Sequence, residues 1–386
     1  MDIRAFKLPK TNVKIDKITV DTSEIINESG IQYGFNIFIK KNRDKLDILK
    51  TLPQSQQYIY KIMNTVESTI YSNVEDSIST AFKKKLKKDD ISFHDDFFKM
   101  WEMITDFKLL DVKKNLTTVS IGSGHFMQAI SVYRNMNSEK DSKTDLYCGI
   151  SIYEDSKKEV LCFTPNVHFF DMPKEDTPTN NIKLFKKDFV EKTKDHFKKK
   201  QMANLVTADG GNKELMKNFE EQEMYELIIG EIVTGLTILS PNGDFVLKIY
   251  DIFTSVTIKL LMIFSQFFDE IHIVKPHTSN DNLNEKYAIG KKYKENADLL
   301  KKLTSLFTKI NKNKTDYIVD IFSDLKIDEN FVKEIIKINY KLIDTEYRVI
   351  NNMYQFILEK NYFGVKYHEY VNSQVENSKL WLKRYF

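Results

Sequence analysis

Three short apolar runs carry the strongest pattern in the chain: Leu205–Ala208, Phe245–Ile249 and Ile271–Val274. Each is brief and bounded by turn-forming residues, which reads as a buried strand rather than a helix. Ahead of them, TTVSIGSGHFMQAISVYRN (117–135) reads as strand, glycine turn and helix, and DLYCGISIYE (145–154) as a second strand, a βαβ signal. Residues 93–107, FHDDFFKMWEMITDF, space their apolar side chains for an amphipathic helix with Phe97, Phe98, Trp101 and Ile104 inward. Residues 164–183 hold Pro165, Pro173 and Pro178 and read as a long loop. FKKDFVEKTKDHFKKKQ (185–201) then reads as a short strand and a helix. Residues 212–239 carry the pattern of one long helix, and Pro241-Asn242-Gly243 is a turn feeding the strand at Phe245.

The flanks differ. GFNIFIK (34–40) reads as a strand, and residues 53–88 recur at helical spacing until KKKLKKDD (83–90). That lysine run is either a solvated helix end or a phosphate-facing patch, and Asp89 or Asp90 would cap the helix that follows. From residue 296 the pattern is helical with little strand signal, and no glycine occurs between Gly290 and Gly364. These shifts predict an α/β extension over 1–90, an α/β domain over 91–295 and a helical region over 296–386.

The strand ends carry the candidate chemistry. Asp209 follows the first run, Lys248 lies inside the second, and the loop after the third holds Ser279 and Glu285. Ligands bind at the carboxyl ends of strands in an open α/β sheet, so these residues mark a candidate active site. Each has a plainer reading. Asp209 before Gly-Gly suits an ordinary turn, Glu285 suits a surface pair with Lys286, and Lys99 suits a lysine snorkelling from an apolar helix face. Lys248 is harder to explain structurally, because an unpaired buried ammonium is costly.

The 386 residues are 41% hydrophobic, enough for a sizeable core, and the net charge of +3 demands no nucleic acid. The positive charge is nearly all lysine, in keeping with an AT-rich genome. Cys148 and Cys162 form neither a CxxC nor a metal-ligand spacing, so no zinc site or disulfide framework is expected. No apolar run is long enough to span a membrane and the first ten residues lack a signal-peptide core, which points to cytoplasm or nucleus, or a viral replication site or virion. The glycine turn has no full GxGxxG and the chain has no GK[ST], which disfavours nicotinamide and nucleoside-triphosphate sites.

The ordered stretches ADGG (208–211), NGDFVLKIYDIFT (242–254) and KPHTSNDNLNEKY (275–287) resemble the FtsJ-like family of ribose 2′-O-methyltransferases, in its eukaryotic and viral mRNA-cap branch. The matching family motifs are ADGG, GGxFxxKxFDxFT and KPxxSRxxxxExY. The resemblance covers roughly residues 95–295 and implies a Rossmann-like S-adenosylmethionine-dependent methyltransferase fold. The family's Lys-Asp-Lys-Glu tetrad carries over to Lys99 (in FFKMWEMI), Asp209, Lys248 and Glu285. Gly122, Ser123, Gly124, Asp188 and Asp209 carry over to the cofactor site, and Lys275 and Ser279 to the substrate side, with Lys291, Lys292 and Lys294 as further RNA contacts. Asn280 stands where the family has arginine, and the glycine turn IGSGHF is shorter than the family's.

The activity so implied is methylation of a ribose 2′-hydroxyl near the 5′ cap of mRNA, without a metal and in company with other capping or transcription proteins. A lysine that takes the hydroxyl proton needs a lowered pKa, which a second ammonium and desolvation would give. Two alternatives remain at this point: ribosomal or transfer RNA as substrate, and a non-catalytic RNA-binding or scaffold relative, which the short glycine turn would suit.

Overall fold

The computed structural model describes residues 4–28, 30–68, 77–87, 93–111, 115–122, 124–137, 145–150, 167–170, 187–199, 201–211, 215–310, 317–361 and 364–386. Ser123, Asp89, Asp90 and the 164–166 and 171–183 parts of the expected loop lie outside them. The strands are β1 (Ala5–Lys7), β2 (Val20–Ser23), β3 (Thr117–Ile121), β4 (Leu146–Ile150), β5 (Val167–Phe170), β6 (Ala203–Ala208), β7 (Leu239–Ile249), β8 (Phe268–Val274), β9 (Lys286–Tyr293) and β10 (Tyr317–Ile321). The main helices are α1 (Tyr33–Asp44), α2 (Ile78–Leu86), α3 (Asp95–Phe107), α4 (Gly124–Asn137), α5 (Lys187–Lys199), α6 (Tyr225–Ile238), α7 (Ser255–Ser265), α8 (Ala297–Ile310), α9 (Glu329–Leu358) and α10 (Val365–Tyr385).

Eight strands form one sheet in the order β1-β8-β9-β7-β6-β3-β4-β5. From β7 to β5 neighbours run parallel, whereas β9 is antiparallel to both β7 and β8. The chain winds outward from β3 through β4 to β5, then returns to lay β6 on the other side of β3. That reversal opens a crevice at the carboxyl ends of β3 and β6, where a Rossmann-like sheet binds its ligand. Residues of β3 are buried throughout, as expected of a parallel strand covered on both faces.

Helix α3 packs as its spacing predicts. Asp95 and Asp96 occupy its first turn, where carboxylates complement the positive end of the helix dipole. Phe97, Phe98, Trp101 and Ile104 are buried, and so are Met100 and Met103. The burial extends round the helix because α10 covers a further side: the Trp101 indole donates to the Tyr385 carbonyl at 2.7 Å, and Phe98 meets Trp381 edge-on.

Five local expectations fail, each through a distant partner. Val167–Phe170, inside the expected loop, is strand β5, because β4 offers it a parallel edge. GFNIFIK lies in helix α1, which buries Asn36, Ile39, Asn42 and Arg43 at helical spacing. Tyr317–Ile321 is a strand, not helix, because β2 offers it an antiparallel edge. The long helix over 212–239 is interrupted within the described part: Glu220–Glu223 is a separate turn of helix before α6. There Glu221 accepts from the Phe253 and Thr254 amides and the Thr254 hydroxyl, at 3.0, 2.9 and 2.7 Å. Pro241-Asn242-Gly243 is an irregularity inside β7, whose pairing with β6 slips from Ala203↔Leu239 to Leu205↔Asp244. Asn242 absorbs it with a left-handed φ of 64°.

Residues from both flanks share the core of the central stretch. Leu8, Ile15, Ile318, Phe331 and Ile335 belong to the same apolar cluster as Val206, Phe245 and Ile271. A buried ion network reinforces this. Arg43 of α1 forms paired bonds to Asp251, just past β7, at 2.5 and 3.0 Å, and to Glu346 of α9 at 2.5 and 3.0 Å. Burial works against both the guanidinium and the Asp251 carboxyl, yet their attraction wins: Arg43 is held well above and Asp251 below the ordinary range. Among the described residues no helix is long and apolar enough to cross a membrane.

Arg43→Ala leaves two buried carboxylates short of their main cation. The expected loss is about 3–5 kcal/mol of folding stability, the cost of breaking a buried pair from one side. Urea unfolding of the variant against wild type measures it; a change under about 1 kcal/mol would contradict a central role for this network.

Candidate active site

The crevice is built from backbone first. The Gly122 amide donates to the Ile150 carbonyl and the Asp209 amide to the Ile121 carbonyl, both at 2.9 Å, so the ladders continue just beyond the strands. Gly122 has φ 94°, and a Cβ there would lie 2.6 Å from the Gly210 nitrogen. Only glycine fits, because both its conformation and the neighbouring backbone exclude a side chain. Gly124 then opens α4, whose N-terminal amides face the region of the turn. The Gly210 amide donates to Glu231 at 3.0 Å from below.

Onto this frame the fold brings Lys99, Asp209, Lys248 and Glu285 together as two ion pairs. Lys248 Nζ lies 3.1 Å from Asp209 Oδ1, and also donates to the Asp209 carbonyl at 3.1 Å. Lys99 Nζ lies 2.6 Å from Glu285 Oε1. Ser279 donates to that same oxygen at 2.7 Å, and Tyr287 donates to Asp209 Oδ1 at 3.3 Å. The pairs sense each other's charge: Asp209 acts on Lys99, and Glu285 on Lys248. The surface pair between Glu285 and Lys286 does not form. Lys286 is buried and its ammonium lies 3.3 Å from Asp251.

Sequence reasoning missed Asp96. Its carboxylate lies 2.9 Å from Lys99 Nζ, three residues on along the helix, and acts on Lys248 as well. The signal was available, since positions three apart meet on one helix face. Tyr250 was also passed over. A Cβ on Gly211 would sit 3.5 Å from Lys248 Nζ and 3.9 Å from the Tyr250 hydroxyl, which sets both groups beside the glycine pair.

The substrate-side residues divide. Ser279 is in the site but buried, its hydroxyl turned to Glu285. Lys275 is buried at 5% exposure, and its ammonium donates to the carbonyls of Asn280, Leu283 and Glu285 at 3.1, 2.9 and 3.0 Å. It holds the loop carrying Glu285 from within instead of facing solvent. Lys291, Lys292 and Lys294 lie at the other end of the sheet, because β9 runs antiparallel to β7: Lys286 sits opposite Ile249 and Gly290 opposite Phe245. At roughly 3.4 Å per residue, Lys291 is about 17 Å along the strand from Lys286. Lys291 pairs with Asp244 and Lys294 with Asp269. Asn280 is tied to Asn64 at 3.2 Å. Asp188 falls in the first turn of α5, with its side chain outside the described residues.

The electrostatics depart from the expected lowered lysine pKa. Desolvation does push both ammonium groups down, but the carboxylates outweigh it: Asp96, Glu285 and Asp209 around Lys99, and Asp209 foremost around Lys248, hold both above the ordinary range. Both lysines are therefore charged at rest. Glu285, despite burial, is drawn down to about 2 by Lys99, Lys275 and Lys248. Asp209 goes the other way, pushed up to about 6 by desolvation that Lys248 only partly offsets, with Asp96 adding repulsion. Burial pushes Glu231 up to about 8, so it is mostly protonated at neutral pH.

The crevice suits S-adenosylmethionine on the chemistry of its own groups. Gly122 and Gly210 let the ends of β3 and β6 pack without side chains between them, Gly211 beside them has open space next to Lys248, and the start of α4 offers amides to a carboxylate.

Comparisons with known proteins identify a family match over the central stretch. Residues 96–293, just over half of the chain, match the family described as FtsJ-like methyltransferase. A probable methyltransferase of African swine fever virus (strain Badajoz 1971 Vero-adapted) is 24% identical over 294 residues, covering 69% of this chain and 65% of the viral one. The chain thus spans somewhat less than two thirds of that relative's length. Cap-specific mRNA (nucleoside-2′-O-)-methyltransferase 1 of Dictyostelium discoideum is 34% identical over 141 residues, 35% of this chain and 18% of that protein. Among solved structures, human methyltransferase-like protein 13 in complex with SAH aligns at a TM-score of 0.32 and 10% identity, over 58% of this chain and 94% of that one. The chain belongs to the FtsJ-like methyltransferase family, whose methyl donor is S-adenosylmethionine.

Proposed function

We propose that this protein methylates the ribose 2′-hydroxyl near the 5′ end of capped mRNA, with Lys99, Asp209, Lys248 and Glu285 as its catalytic groups. The observation that carries this reading is their convergence as two neighbouring ion pairs beside the carboxyl ends of β6 and β7. Support for the cap comes from relatives such as the Dictyostelium enzyme, which aligns with 35% of this chain at 34% identity.

A ribose 2′-hydroxyl is a weak nucleophile until its proton is shared or lost. When bound, S-adenosylmethionine supplies an electrophilic methyl group on a positively charged sulfur. Lys248 is assigned to the 2′-oxygen, since its Nζ lies beside the open face of Gly211. As an ammonium it polarises the oxygen; as an amine it takes the proton at Nζ, a form favoured when further positive charge is brought close. Asp209 keeps that nitrogen in place, and Glu285 does the same for Lys99. Lys99, with Asp96 and Glu285 about it, supplies the positive field on the other side. These pairs would hold the 2′-oxygen in place, and positioning supplies much of the rate, so their rigidity matters as much as their charge.

Two measurements test this. Radiolabelled methyl transfer to short capped and uncapped RNAs of equal sequence should proceed on capped RNA only; transfer to both alike would move the substrate to another RNA class. Lys248→Ala should lower the rate at least a thousandfold while changing S-adenosylmethionine affinity by no more than a few fold, and substantial turnover by the variant would remove Lys248 from the mechanism.

The pH profile gives a further check. Asp209 is ionised above about 6 and protonated below it, so transfer should fall as pH drops through 6, when Lys248 loses its anchor. Because the folded pKa lies above the unfolded value of 3.8, protonation of Asp209 itself favours the folded state over this window. The rate should therefore drop between pH 6.5 and 5 with no matching fall in melting temperature attributable to Asp209. A rate flat over that range would contradict the assignment.

A further inference from the structure

Glu102 takes no part in the tetrad, yet no other carboxylate in α3 is so fully enclosed. It is 2% exposed, one helical turn beyond Lys99 on the same helix. Its Oε2 accepts from the His277 amide at 2.7 Å. Its Oε1 accepts from the Thr278 amide at 2.8 Å, the Thr278 hydroxyl at 2.7 Å and the Trp381 indole at 2.9 Å. Four donors from two distant parts of the chain thus converge on one buried side chain. Such a carboxylate is stabilised only while the set is complete, because burial alone pushes its pKa up and the donors oppose that rise.

The connectivity shows what the arrangement does. The residue after Thr278 is Ser279, whose hydroxyl donates to Glu285 Oε1 at 2.7 Å. That oxygen is the one 2.6 Å from Lys99 Nζ. Lys99 leads back along α3 to Glu102, three positions on. The links close a ring: Lys99, Glu102, the 277–278 backbone, Ser279, Glu285 and Lys99 again. Lys275 braces the same loop from inside through three carbonyls. The fourth donor, Trp381, belongs to α10 and is itself fully buried.

We infer that Glu102 is a positioning residue that fixes Glu285 against Lys99 by clamping the 277–279 loop to α3, and that Trp381 makes the C-terminal helix part of this clamp. The inference rests on the methylation reading above, and it assigns the last helix a role in catalysis without any contact to substrate. The loop is fixed by hydrogen bonds that an isosteric change removes, so packing and clamping are separable. An amide at position 102 would turn an N–H toward donors, and a valine at 278 would remove one hydroxyl with little change in volume.

The test uses the full chain and the variants Glu102→Gln, Thr278→Val, Thr278→Ser and Trp381→Phe. In methyl transfer to capped RNA, the Gln and Val variants should lose at least tenfold in kcat with S-adenosylmethionine Kd within threefold of wild type. Trp381→Phe should lose a smaller factor, and Thr278→Ser, which keeps the hydroxyl, should stay near wild type. A second readout needs no RNA. In protein labelled with 15N-lysine, the Lys99 ammonium, identified by its absence in Lys99→Arg, should give a protected 1H–15N cross-peak in wild type. That peak should weaken sharply in Thr278→Val and Glu102→Gln. The clamp is overturned if the peak keeps its wild-type intensity in both, or if kcat stays within twofold in all variants of an active enzyme. A wild type silent on every RNA would count against the methylation reading alone, and the cross-peak would still decide the clamp. Should Glu102→Gln fail to fold, Thr278→Val carries both readouts.

Discussion

Two lysines held inside the protein as ammonium groups are the constraint around which the structure is arranged. An ammonium that is nearly buried is tolerated only with carboxylates at bonding distance, and each of those must be oriented in turn. Lys248 meets this through Asp209, which the end of β6 delivers and Tyr287 touches. Lys99 meets it through Asp96 on its own helix and Glu285 from the loop before β9. The sheet order supplies these partners: β6 and β7 are neighbours, which brings Asp209 to Lys248, and β9 lies beside β7, which brings in Glu285 just ahead of it.

The flanking regions serve this centre from behind. Arg43 bridges Asp251, two residues past the end of β7, to Glu346 of α9, so α1 and α9 bear on the chain just beyond Lys248. At the other side, Arg4 pairs with Asp281, whose carboxylate also accepts from the Thr65 amide at 2.9 Å. Gln374 of α10 donates to the carbonyls of Lys61 and Asn64, both at 3.0 Å. The loop from Pro276 to Glu285 is thereby surrounded by residues from both ends of the chain. If Glu285 acts as proposed, rigidity there matters, since misplacing a reacting group by about 1 Å can cost about a hundredfold in rate.

How far the sequence could be read depended on where each residue's partner lies. The strand at Phe245–Ile249 was legible because its apolar run is local, and Lys248 stood out as a charge that no neighbour in sequence could satisfy. The helix of Lys99 was legible from spacing, although the burial of its further side awaited α10. By contrast GFNIFIK reads as a strand in sequence, and packing against α9 and Phe253 made it a helix. Lysines 275, 291, 292 and 294 look alike in sequence, yet one is enclosed by carbonyls and the others sit at the far end of the sheet.

The sequence alone therefore determined which strand ends carry an acid, a lysine and a second acid, and the family to which that order belongs. Those properties depend on short apolar runs and the polar residues adjoining them, which neighbouring residues suffice to define. Only the tertiary structure decided which carboxylate serves which lysine, that Asp96 joins them, that both lysines rest charged, and that Glu102 gathers donors from the loop and the last helix. Charge state and hydrogen-bond pairing inside a protein are set by groups far apart along the chain, whose proximity exists only once the core has closed around them.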